Sequence, residues 1–161
     1  MNQADLFAKE PIAIGTDPFG HWLAGFVDGE GCFYFSVTSD GSCRPVFRLK
    51  VRLDDKDVLN RARDWSGVGV VVEIHNEKLP NPQCEWIVRK KRHVLKLVEI
   101  FTAYPLRAKK AKDFEIWAKA VNVWIDIRAI SAGYHRGTIR DPRQKTLLLL
   151  RSELKECRRY K

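Results

Sequence analysis

Residues 22–37, WLAGFVDGEGCFYFSV, join two different periodicities with almost nothing between them. Phe19, Trp22, Leu23, Phe26 and Val27 recur at helical spacing and predict a stripe facing the core. After Gly31 the pattern changes to period two. Phe33, Phe35 and Val37 fall on one side, and Tyr34, Ser36 and Thr38 on the other. A helix must therefore run straight into a strand, which sets an α+β arrangement at its outset. The helix also carries two costly features. His21, Ala24, Gly25 and Asp28 leave a second face small, so that another backbone can approach. Asp28 and Glu30 place acids at the C-terminal end, where they oppose the helix dipole. Something other than stability uses that face and that end.

The remaining sequence repeats the theme. Asp17-Pro18 reads as N-cap and first helical residue. SDGS at 39–42 predicts a hairpin turn. CRPVFRLKVRL then alternates, with Phe47, Leu49 and Val51 inward and Arg44, Arg48, Lys50 and Arg52 outward. DDKDVLNRARDWSG predicts a short helix, capped by Asp54 or Asp55 and closed by Gly67. VGVVVEIH and QCEWIVR predict a second hairpin across NEKLPNP. KRHVLKLVEIFTA is a helix, and YPLRAKKAKDF begins a longer one with Pro105 in its first turn. SAGYHRGTIR reads as a loop, and Asp141-Pro142 starts a last helix. The order is αββαββα with further helix. It predicts one domain over 1–161, with 1–16 a flexible lead-in and 138–161 a C-terminal helical extension. One antiparallel sheet with its helices on one face satisfies that order.

The chain has 29 Lys and Arg against 20 Asp and Glu, a formal charge of +9, within 161 residues that are 45% hydrophobic. The hydrophobic share suits a sizeable core. The charge favours a polyanion, with nucleic acid ahead of an acidic membrane; solubility is the plain alternative. No apolar run approaches the ~20 residues that span a bilayer. The N-terminus lacks a basic start leading into an apolar stretch, so an intracellular protein without a secretory signal is expected. Cys32, Cys43, Cys84 and Cys157 form no CxxC pair, which argues against zinc and for reduced thiols. The outward sheet face is the natural place for a polyanion. Arg44, Arg48 and Lys50 neutralise phosphates there, and Tyr34, Ser36 and Thr38 offer polar groups to base edges. The second hairpin is expected to add Glu73, His75, Gln83 and Glu85 to the same face. An ordinary solvated face, with charges that discourage edge pairing, accounts for the same residues.

LAGFVDGEG, residues 23–31, resembles the signature of the LAGLIDADG homing endonucleases. Leu23, Ala24, Gly25, Asp28 and Gly31 match it letter for letter. Phe26 and Val27 are apolar substitutes, Gly29 replaces a small Ala, and Glu30 replaces the final Asp. GVG at 67–69 and YPLRAKKAKDF at 104–114 look like later family segments, so the resemblance spans roughly residues 18–130. It implies an αββαββα fold with a saddle-shaped antiparallel sheet. It also implies a helix pair in which His21, Ala24, Gly25 and Asp28 meet a second copy, Asp28 capping or hydrogen-bonding across the pair. One motif per chain implies a homodimer.

The resemblance further implies site-specific, double-strand cleavage of a long, roughly palindromic DNA by phosphodiester hydrolysis. Glu30 is the implied metal ligand, helped by the Gly29 carbonyl, and Mg²⁺ (or Mn²⁺) the implied metal, because a hard cation prefers oxygen ligands. Lys109 matches a basic residue of the surrounding shell, with Lys110 its neighbour. The strand position that is often Gln in relatives falls on Val51, which leaves Arg52 or Lys50 to substitute if the strand is bulged. RKKR at 89–92 and Arg158 and Arg159 are further candidates for backbone contact. The host is expected to be a bacterial or phage cytoplasm or an organelle, in a mobile-intron setting. Two other readings stay open. One is a non-cleaving binder of the same fold, an RNA-splicing maturase or a transcription regulator. The other is a general nucleic-acid-binding domain in which the motif only packs, which predicts a monomer with no metal dependence.

Overall fold

The computed structural model describes residues 15–75, 81–127 and 141–159. Most of the expected lead-in, the first five residues of the NEKLPNP loop (76–80), residues 128–140 with the SAGYHRGTIR loop, and the last two residues lie outside the described residues. Helix α1 (Pro18–Glu30) starts where Asp17 accepts a hydrogen bond from the Phe19 amide at 2.8 Å and Pro18 fills the first turn. It ends at Gly31, whose backbone is already extended, so strand β1 (Gly31–Val37) follows with no loop. Only glycine fits this junction. A Cβ there would lie 2.6 Å from Val27 Cγ1 and 2.7 Å from the Val27 carbonyl oxygen. The sequence reading of a helix feeding a strand directly is what the molecule does.

Strand β2 (Cys43–Arg52) returns through the expected Asp-Gly turn. Asp40 accepts from the Ser42 amide and from the Thr38 hydroxyl, and these bonds, the hydroxyl's first, hold its carboxyl down to about 2. A 3₁₀ turn (Leu53–Asp55), helix α2 (Lys56–Ser66), strands β3 (Val70–Ile74) and β4 (Gln83–Val88), and helices α3 (Lys91–Ala103), α4 (Lys110–Ile125) and α5 (Pro142–Cys157) complete the described chain. Asp55 holds the N-cap position of α2 but makes no side-chain capping bond, and Asp54 turns instead to Arg52. Gly67 closes α2 in the left-handed region, as expected.

The four strands form one antiparallel sheet in the order β1-β2-β4-β3. Its inner face presents Phe33, Phe35, Phe47, Leu49, Cys84, Trp86 and Val88 to the helices, all buried. Phe33 and Phe47 meet Phe101 from α3 and, through Phe33, Phe114 and Trp117 from α4. The buried indoles are paired: Trp86 donates to the Val68 carbonyl at 2.9 Å and Trp117 to the Val46 carbonyl at 3.1 Å.

One expectation changes. YPLRAKKAKDF does not begin a helix at Pro105; α4 starts only at Lys110. Tyr104 leaves the helical region, φ −121° and ψ 80°, ahead of the proline. Leu106 is buried, and the Arg107 amide bonds elsewhere. The C-terminal helix packs on the rest of the domain. Leu147 and Leu154 are buried in the common core, and Gln144 Oε1 accepts from the first amide of β2, Cys43, at 2.8 Å.

Candidate functional site

The accessible face of α1 differs from the one the spacing predicts. Gly20, Leu23, Ala24 and Val27 are buried, Ala24 at 4% exposure. Ala24 therefore packs inside its own domain and is not offered to a partner. Trp22, expected in the core, is 45% exposed; it stacks on Phe26 with ring centroids 5.2 Å apart and lies tilted to Phe19 at 5.0 Å. Gly25 and Gly29, four residues apart, are exposed, and a Cβ on either would meet nothing within 4 Å. Gly20, Leu23, Ala24 and Val27 follow the i, i+3, i+4, i+7 spacing of a core-facing stripe, and the small Ala24 belongs to it. His21 is exposed beside that face. Its Nε2 lies 2.8 Å from the Gly15 carbonyl and its ring sits edge-on to Tyr104.

Glu30 is exposed at the very end of α1, and no ion pair engages it among the described residues. The carbonyl of Gly29 is one of the last four of the helix, which lack intrahelical partners. Asp28 turns the other way. Its Oδ2 accepts from the Arg107 amide of the same chain at 2.7 Å, while Oδ1 is buried without a hydrogen-bond partner. The bond expected across a helix pair is thus made within the chain. It ties the segment 105–109 to the last turn of α1 and so brings Lys109 to the acidic end of the helix. Asp28 and Lys109 line one open basin of ≈ 680 Å³, together with Lys110, Lys112, Asp113 and Arg158. Arg158 donates to Asp113 Oδ2 at 2.8 Å and to the Phe33 carbonyl, which fastens the end of α5 to the start of α4 and to β1.

The register of β2 is unbroken from Phe47 to Arg52 against β4, so no bulge re-aims the strand. Val51 pairs with Cys84 and packs on the core side. Arg52 is outward at the strand end but is engaged by Asp54, at 2.6 Å. Lys50 is exposed, one pair beyond Leu49, which faces Gly31. It therefore stands at the end of the sheet nearest Glu30.

The outward face is confirmed for β1 and β2 and corrected for the second hairpin. Tyr34 and Ser36 lie opposite Val46 and Arg44. Burial raises the Tyr34 phenol above its ordinary pKa, so it stays protonated. The Arg48 guanidinium lies over its ring at 4.9 Å and 3.7 Å from Glu85. Arg44 is exposed. Thr38 sits beyond the end of β1, and its hydroxyl is spent on the turn, on Asp40 and the Ser42 carbonyl. Gln83 and Glu85 are outward, paired with Arg52 and Lys50. Glu73 is not: it pairs with the inward Cys84 and reaches Lys56 at the start of α2, at 2.6 Å. His75 follows it, with Nε2 3.0 Å from Glu73. The outward side of β3 is instead Val70, Val72 and Ile74, joined by Ile87 of β4. Sequence reasoning missed these four. Val70, Val71 and Val72 are alike, so the strand alone does not reveal its face. The signal lay in β4, where Cys84, Trp86 and Val88 form the apolar stripe and thereby fix the parity of its partner.

No group of three or more His, Cys, Asp or Glu suited to a metal occurs among the described residues. No described helix is long and apolar enough to cross a membrane.

A helix that ends in an acid and feeds a four-stranded antiparallel saddle, with basic residues on the open side, defines a family. Residues 23–121 match the LAGLIDADG endonuclease family, and the chain belongs to it. It is 29% identical over 106 residues to the probable intron-encoded endonuclease Cox1-I1b of Schizosaccharomyces pombe, covering 63% of this chain and 27% of that protein. Among solved structures it resembles the homing endonuclease I-TnaI (26% identity, TM-score 0.59, covering 86% of this chain and 99% of that one). It also resembles I-GzeII in complex with its DNA target (25% identity, TM-score 0.70, covering 90% and 46%). The chain spans about a quarter of the length of the curated relatives it matches.

Proposed function

We infer that the chain acts as a site-specific homing endonuclease, cutting both strands of a long, roughly palindromic DNA as a homodimer. The observation that carries this reading is the position of Glu30. It stands exposed at the open end of α1, with no ion pair among the described residues, beside a sheet face bearing Arg44, Arg48 and Lys50. Gly25 and Gly29 give a bare helix surface for a second copy of α1, which would bring two Glu30 side chains together. The donors available at the helix end, a carboxylate and backbone carbonyls, are all oxygen and fit Mg²⁺ or Mn²⁺. Glu30 and the Gly29 carbonyl would hold the ion. When bound, such an ion supplies charge stabilisation at a scissile phosphate and an acidified water.

The chain's own groups contribute the rest. Lys109, held near the acidic end through the Asp28–Arg107 bond, offers positive charge to the phosphate oxygens. Arg48, fixed between Tyr34 and Glu85, presents a planar fork to a base or phosphate. The name of the S. pombe relative and the DNA complex of I-GzeII support the choice of substrate class. An organellar or microbial host in a mobile-intron setting accords with the intron-encoded relatives.

The test is Mg²⁺-dependent cleavage of a partly randomised duplex library by wild type and Glu30→Gln side by side, with the cut ends sequenced. Wild type is expected to cut both strands at one near-palindromic sequence, and the variant to bind that sequence without cutting. Equal selection of DNA or RNA by both proteins, with no cleavage by either, would overturn the nuclease reading in favour of a non-cleaving binder.

A further inference from the structure

We propose that the β3 edge of the sheet reads thymine: Val70, Val72 and Ile74, with Ile87, form an apolar column that recognises the C5-methyl groups of thymines in the major groove. The inference rests on the reading of the outward sheet face as a DNA-binding surface and specifies what one side of it recognises.

An edge strand open to water ordinarily carries charged or polar side chains, which discourage pairing with other strands. Here Val70 is 47% exposed and Val72 41%, and Ile74 and Ile87 are only partly covered. The register places the column precisely in the sheet's rows. Cys32, Arg48, Ile87 and Val70 form one row; Lys50, Glu85 and Val72 the next; Arg52, Gln83 and Ile74 the third. Each row therefore runs from a cation on β2, through a β4 side chain, to an aliphatic side chain on β3.

That order commits the face to one occupant. Two strand spacings separate the cations from the aliphatic column, about 10 Å, close to the roughly 12 Å width of the major groove. Cations suit the phosphate wall of the groove, and Gln83 and Glu85 suit base edges on its floor. Among the groups that the groove exposes, the thymine methyl is the apolar one. A protein partner seeking the aliphatic column would have to accept Arg48, Lys50 and Arg52 in the same rows. Alternate residues on a strand are about 6.7 Å apart, close to two base-pair steps of ~3.4 Å. Val70, Val72 and Ile74 thus predict thymine preferences spaced by about two base pairs in each half-site.

The experiment begins with selection of bound duplexes from a randomised library by the full chain in Ca²⁺, followed by replacement of single enriched thymines with uracil. Uracil pairs identically and lacks only the methyl group. Binding is expected to weaken roughly fourfold at each contacted thymine, the effect of leaving one methyl unburied. Val72→Ser removes both methyl groups and places a hydroxyl in the column. It is expected to abolish the thymine–uracil difference at one position per half-site and leave the others intact. An enriched site that is indifferent to uracil throughout, or a Val72→Ser protein that keeps the full pattern, overturns the proposal while DNA binding stands. Failure to enrich any duplex removes the DNA-binding reading itself. A change in oligomeric state in Val72→Ser, with base preference unaltered, assigns the column to protein contact and also overturns it.

Discussion

Asp28 shows how far a single residue can be read. Its place in the motif was legible, and so was its presence at an acidic helix end; its partner was not. The Arg107 amide lies 79 residues away, in a segment that reads as helix and is in fact irregular. Because one carboxylate oxygen holds that segment, Asp28→Ala is expected to cost about 1–2 kcal/mol, the loss of a hydrogen bond to a charged acceptor tempered by partial exposure. Urea denaturation measures the stability. Cleavage should fall as well, since Lys109 loses its tether. An Asp28→Ala protein with unchanged stability would mean that packing around Leu106 alone fixes the segment.

His93 gives a second residue-scale prediction. Its Nδ1 accepts from the Gly69 amide at 3.1 Å, a role open only to the neutral ring. Burial, reinforced by Arg92, Lys90 and Lys96, lowers its pKa below the ordinary 6.5. The unfolded chain therefore takes up a proton at a higher pH than the folded one. The stabilisation is complete above about pH 6.5 and is lost as pH falls through the lowered folded value. The urea midpoint of wild type should drop between pH 7.5 and 5.5, and that of His93→Gln should drop less.

At the scale of elements, periodicity identified each strand and nearly every helix, because alternation and 3.6-residue spacing are local properties. It did not identify which faces remain open, because that is decided by neighbours. Ala24 and Gly25 are both small, yet the sheet takes Ala24 and leaves Gly25. Glu73 was placed outward by charge, whereas Trp86 in the adjacent strand forces it inward, where Lys56 meets it. The open glycines of α1 yield a prediction with two opposite signs. Gly25→Leu adds a side chain into empty space in the isolated chain and removes a helix-interior glycine, so the monomer should gain up to about 1 kcal/mol. The same side chain keeps two α1 helices apart. Light scattering should then report a monomer, and DNA cleavage should be lost although the fold melts later. A stable Gly25→Leu dimer that still cuts would remove this face from the interface.

Across the whole molecule, the charge of +9 announced a polyanion, but charge alone says nothing about which cations are available to it. The ion pairs sort them. Arg52 is engaged by Asp54 at 2.6 Å and Arg48 lies 3.7 Å from Glu85, whereas Arg44 and Lys50 have no carboxylate within ion-pair distance among the described residues. A cation already neutralised by its own protein displaces fewer counterions when it meets a phosphate. If the sheet binds DNA, the logarithm of affinity falls linearly with the logarithm of salt, by about 0.9 for each phosphate contact. Arg44→Ala and Lys50→Ala should each make that slope shallower by about 1 per copy of the chain, and so by about 2 in a homodimer. Arg52→Ala should change it less, because Asp54 is left to repel phosphate in place of a pair that was nearly neutral; its effect appears instead as weaker binding at every salt concentration. Titrations of the selected duplex from low to moderate KCl separate the two classes. Equal slopes for all three variants would show that the Arg52–Asp54 pair opens on the DNA, leaving the guanidinium free to meet a phosphate.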